Sequence, residues 1–118
     1  MTDVMTLYKE ADQLKEEGKY EEAVAKLKEI LQQDDTHVLT HMALAVLLSK
    51  LGQYDESVEH GKRACELEPD DPFNFTAMSI TYHRAFAGTQ NHTYIALAED
   101  AMAKSQMLAY QQRQQQQQ

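Results

Sequence analysis

The run Gly18-Lys19-Tyr20-Glu21-Glu22-Ala23-Val24-Ala25-Lys26-Leu27-Lys28-Glu29-Ile30-Leu31 decides the fold, because its opening is written again as Gly52-Gln53-Tyr54-Asp55-Glu56-Ser57-Val58. Gly18, Tyr20, Glu22 and Val24 each recur 34 residues later, and Asp55 keeps the acidic character of Glu21. The same offset turns Ala11 and Leu14 into Ala45 and Leu48 upstream, and Leu31 and Asp35 into Cys65 and Pro69 downstream. A self-similarity of this period marks stacked helix-turn-helix units, each unable to bury its apolar face without its neighbours.

Working outward, Leu7, Ala11 and Leu14 share one helical face, with Thr2 or Asp3 available to cap it. Gly18 and Gly52 suit the left-handed backbone of a helix C-terminus. Helices are expected over about 20–32, 37–51 and 54–67, with Asp34, Asp35 and Thr36 capping the third. Its residues are apolar nearly all round, as befits a central helix. Asp71 followed by Pro72 opens a fifth helix, on which Phe75, Met78, Ser79 and Tyr82 fall in repeat register with His41, Leu44, Ala45 and Leu48. The third repeat then departs. Ala87-Gly88-Thr89-Gln90-Asn91 reads as a longer loop in place of the tight Gly-x-Tyr turn, before a sixth helix over about 92–110. The expected organisation is one domain over 1–110, with repeats at about 4–37, 38–71 and 72–110. Residues 111–118 are a Gln-rich tail, frayed or disordered.

Composition narrows the function. The net charge of −8 is concentrated in residues 1–71, with 8 Lys/Arg against 17 Asp/Glu, while residues 72–118 carry 3 against 2. Such a balance argues against nucleic acid and against anionic membrane, both of which need Lys/Arg to neutralise phosphate. The chain shows no leader pattern and no apolar window of membrane-spanning length, so a cytoplasmic address is expected. Cys65 is alone and sits at a core-facing position, as a small hydrophobe does. His37 and His41 stand four apart, a spacing that can hold a metal, but two imidazoles are too few for a site and no cofactor is expected. No phosphate-binding loop, nucleophile with its base or isolated carboxylate pair is present, so the chain is not expected to be an enzyme.

Gly18, Tyr20, Ala23, Ala11 and Leu14 in the first repeat, and Gly52, Tyr54, Ala45, Leu48, Ala64 and Pro69 in the second, resemble the tetratricopeptide repeat family. His41 and Gly61 depart from its pattern, as does the stretch 87–91. The resemblance implies an all-α, right-handed stack of three antiparallel helix pairs whose first helices line a concave groove that holds a segment of a partner. One subset of the family grips the C-terminal carboxylate of heat-shock chaperones with Lys and Asn. Carried over by register, those positions fall on Tyr8, Asp12, Ala43, Phe73 and Ala77, none of which is an ammonium or amide donor. That mode of binding is not expected.

The groove expectation is specific. Leu39, Met42 and Val46 recur on a face of the central helix different from that of His41, Leu44, Ala45 and Leu48. With Tyr8, Phe73 and Ile80 they form an apolar strip, edged by Asp12 and Glu16 at one end and by His83 and Arg84 at the other. The partner is a protein or peptide segment with apolar anchors and some basic residues. The alternative is a self-associating structural protein, a homo-oligomer pairing through the third repeat and the last helix.

Overall fold

The computed structural model describes residues 2–117, which fold into six helices: α1 (Val4–Glu16), α2 (Tyr20–Gln33), α3 (Val38–Lys50), α4 (Tyr54–Leu67), α5 (Pro72–Thr89) and α6 (Thr93–Gln116). They pair as α1/α2, α3/α4 and α5/α6, and the pairs stack in a right-handed array in which α2 packs on α3 and α4 on α5. The array is open. Its accessible surface is 7129 Å², against roughly 6,500 Å² for a compact protein of this mass. The radius of gyration is 15.2 Å, against about 13.5 Å for a compact chain of this length.

The repeated turns have one cause. Gly18 and Gly52 both have φ +79°, and each allows the chain to close the preceding helix with the same pair of bonds. Lys19 N–H donates to Leu14 C=O at 2.8 Å and Gly18 N–H to Lys15 C=O at 3.0 Å; Gln53 donates to Leu48 at 2.8 Å and Gly52 to Ser49 at 3.1 Å. Asp3 caps α1 by accepting from Thr6 N–H, and Asp71 caps α5 by accepting from Phe73 N–H, with Pro72 in its first turn.

Two expectations are corrected. Asp34 does not cap α3: its carboxylate accepts from the N–H and hydroxyl of Thr36, closing a turn of its own, and α3 begins after His37 without a side-chain cap. Ala87, Gly88 and Thr89 are helical, so the loop expected at 87–91 shrinks to Gln90-Asn91-His92. Here α5 runs a turn beyond the point where α3 stops, and Gln90 takes the left-handed φ of 62° that glycine takes in the other two turns. The added turn lays Gly88 against the ring of Tyr54, so tightly that a Cβ there would overlap the ring. Gln111 to Gln116 continue α6, and Gln118 lies outside the described residues.

The core has two centres. The first joins Leu7, Ala11, Ala23, Val24, Leu27, Ile30, Leu44, Leu47 and Leu48 from α1, α2 and α3; each fully buried Leu or Ile there contributes about 1.5–3 kcal/mol. The second joins Val58, Cys65, Met78, Tyr82, Ala85, Ala98 and Ala101. Small residues let helices approach: at Gly61 a Cβ would sit 2.8 Å from Met78 Sδ, so the departure at 61 is filled by methionine from the next pair. Cys65 is buried in this centre. Burial, with a lesser contribution from Glu66, pushes its thiol up to about 11.

Candidate functional site

The 34-residue period aligns α1, α3 and α5 position by position, and their outward stripes lie side by side. Met5, Leu39 and Phe73 occupy one register position and are 69%, 57% and 63% exposed. About two turns further along, Asp12, Val46 and Ile80 share a second position, and about three turns along Glu16, Lys50 and Arg84 share a third. An apolar row therefore crosses the first turns of three helices, and charged residues end α1 and α3 and stand about a turn before the end of α5.

Between these helices run two clefts of about 210 Å³ each. Tyr8, Asp12 and Lys15 of α1 face Leu39, Met42, Ala43 and Val46 of α3 across the first. Met42, Ala45 and Val46 face Phe73, Ala77, Ile80, Thr81 and Arg84 of α5 across the second. Met42 and Val46 line both, so the clefts form one surface with α3 as its ridge. Each is smaller than the roughly 300–1,000 Å³ of small-molecule sites, a size for single side chains. No lining residue of either cleft comes from α6, which packs on α5.

Eight of the nine residues expected at the groove are thus brought together: Tyr8, Asp12, Leu39, Met42, Val46, Phe73, Ile80 and Arg84. His83 is not; it is exposed on a different face of α5 and lines neither cleft. Met5 was missed, although its register with Leu39 and Phe73 was there to be read. Lys15 was missed too, and it changes the electrostatics, for its Nζ lies 3.4 Å from the Asp12 carboxylate. The acidic end of the strip is therefore partly neutralised within α1. Tyr8 is half-buried, its ring 6.0 Å from that of His37, and burial together with Asp12 raises its phenol above the ordinary range.

His37 and His41 bond within the stack, His37 just before α3 and His41 inside it. His37 Nδ1 is 2.7 Å from the Thr40 hydroxyl. His41 is buried, its Nε2 2.8 Å from Asp35 C=O and its Nδ1 3.0 Å from Nδ1 of His60 on α4. Since Nε2–H must donate to the carbonyl, Nδ1 of His41 accepts and His60 Nδ1–H donates. Nε2 of His60 then faces the Glu56 carboxylate at 3.6 Å, and Glu56 is held by Lys28 of α2 at 2.9 Å. Among the described residues no three His, Cys, Asp or Glu side chains are grouped as metal ligands would be, and no helix is long and apolar enough to cross a membrane.

The same architecture occurs in solved structures. The second tetratricopeptide-repeat unit of Spaghetti (RPAP3), solved with the HSP90 peptide SRMEEVD, superposes with a TM-score of 0.71 over 88% of this chain and 90% of its own, at 19% identity. MamA (MSR-1 C2) gives 0.64 over 87% of this chain at 19% identity, and this chain spans 59% of it. The first repeat unit of Spaghetti, solved with the same peptide, gives 0.61 at 15% identity over 89% of this chain and 92% of its own. No curated protein sequence matches the chain. The tetratricopeptide repeat model matches residues 14–72, half of the chain, a stretch that holds both Gly-x-Tyr turns. By that match and by its stack of three helix pairs, the chain belongs to the tetratricopeptide repeat family.

Proposed function

We propose that the surface formed by α1, α3 and α5 receives a segment of another protein, and that residues 1–110 act as one adaptor or scaffold module. The observation that carries this reading is the repeated exposure of Met5, Leu39 and Phe73. A hydrophobic core has no use for the same large apolar residue turned outward in all three repeats, whereas a binding surface does. Val46 and Ile80 extend the apolar area, and the two side-chain-sized clefts suit anchors from an extended or helical segment. The peptide-bound Spaghetti units share the fold, which supports a peptide partner for this one. Their mode of binding need not carry over, since Tyr8, Asp12, Ala43, Phe73 and Ala77 stand where the chaperone-binding subset has its donors.

The test is selection of binders from a library of displayed 12-residue peptides, followed by Val46→Lys. That change sets a charge on the ridge common to both clefts and should abolish binding, while the helical signal and melting temperature stay within those of the parent. Unfolding of the variant would make Val46 a core residue. Undiminished binding would locate the site elsewhere.

A second reading, self-association through the third repeat and α6, is favoured by Met107 and Tyr110, which are 44% and 57% exposed on the last helix. Light scattering would show a concentration-dependent mass, and Tyr110→Lys would abolish it. A constant monomer mass excludes this reading.

A further inference from the structure

The cleft between α3 and α5 is chemically one-sided. Of the chain's 19 Asp and Glu, none lies on Val38–Lys50 or on Pro72–Thr89. The cleft's apolar wall is closed at one end by Arg84, the one charged residue among its described lining. Arg84 is exposed and takes part in none of the ion pairs found among the described residues. The neighbouring cleft differs. Its lysine, Lys15, is matched to Asp12, and Lys50, the register equivalent of Arg84, turns its Nζ over the Tyr20 ring at 5.2 Å from the centroid. Of the two clefts between α1, α3 and α5, the one between α3 and α5 joins an apolar wall to a cation outside the ion pairs found among the described residues.

We propose that this cleft selects an acidic amphipathic segment, with a large apolar side chain seated among Met42, Val46, Phe73 and Ile80 and an Asp or Glu of the same segment paired with Arg84. The proposal rests on the groove reading above and names the chemistry of the occupant. Charge complementarity decides it. A guanidinium presents a planar fork that matches a carboxylate two bonds at a time. Neither α3 nor α5 carries an acid to compete for it, and α4, which contributes Gly61 and Ala64 to the cleft, places none of its acids among the lining. The pairing is with a side-chain carboxylate inside the segment and needs no free C-terminus.

The displayed peptides decide the matter when both their ends are fused, so that no terminal carboxylate is available. Selected binders should carry Asp or Glu within four residues of a Leu, Ile, Met or Phe. Arg84→Glu should weaken them about tenfold or more, and exchange of their acid for Lys should restore binding to that variant. Arg84→Met, which keeps the apolar stem, should also weaken them, and added salt should weaken binding to the parent but not to Arg84→Met. Binders that are lost in Val46→Lys but are basic or uncharged, or that ignore Arg84→Glu, overturn the proposal and leave the groove standing. Binders that ignore Val46→Lys overturn the groove itself.

Discussion

Gly88→Ala should destabilise the protein in one background and stabilise it in another. Gly88 lies near the C-terminal end of α5, where alanine is up to about 1 kcal/mol more favourable than glycine. In the parent that gain is outweighed, because a Cβ at this position would fall on Cζ, Cε2 and Oη of Tyr54, far inside the roughly 3.5–4.0 Å at which carbon atoms pack. Tyr54 is itself half-buried against the second core centre, so its ring cannot swing freely into solvent. Overpacking of this kind costs about 1–3 kcal/mol. The net expectation is a loss of about 1–2 kcal/mol, or a fall in melting temperature of roughly 4–8 °C for a domain of this size. In Tyr54→Ala the obstruction is gone, and the same substitution should raise the melting temperature of that background by a few degrees. Thermal unfolding of the four proteins measures the coupling directly. Stabilisation in both backgrounds would show that α5 does not cover Tyr54. Equal loss in both would show that Gly88 is required by backbone conformation, as the loop expectation had it.

Three further outcomes are expected. Gly52→Ala should cost about 1 kcal/mol through its positive φ alone, since open space surrounds the position, and the loss should be the same in Tyr54→Ala. Acidification should lower the melting temperature once pH falls below about 6.5. Burial and the facing His41 hold His60 below its ordinary value against the opposing pull of Glu56, so the unfolded chain takes up the proton first and the native state is favoured in full only above that pH. Lys28 and His60 hold Glu56 low, which adds a loss of the same sign further into acid. A His60→Gln variant whose melting temperature follows the same pH profile between about 7.5 and 5.5 would refute the assignment. Finally, the Cys65 thiol, pushed up to about 11, should be thiolate in only about one molecule in a thousand at pH 8. Its labelling should follow unfolding, and rapid labelling of the native protein would contradict its burial.

The period of 34 residues by itself determined the helix pairs, because Gly18 and Gly52 mark positive-φ turns and the positions between them repeat in kind. It also determined which faces turn outward, since a helix in fixed register must present Leu39, Val46, Phe73 and Ile80 on one stripe. Met5 was legible in the same way, by counting back from Leu39. The rest depended on contacts between residues that no local rule connects. Whether 87–89 is loop or helix turned on the surface that Tyr54 offers to an extended α5. His41 could be placed near the core from its register, but its partner, 19 positions away on α4, is set by how two helices cross. Gly61 looked like a packing fault until Met78 reached it from the next pair. Asp12 read as the acidic edge of the groove, and Lys15 one turn on takes up much of its charge because their rotamers meet. Periodicity carries over from sequence to fold because each helix repeats its own geometry. The pairing of side chains across helices does not, because it depends on crossing angles and rotamers that only the assembled stack defines.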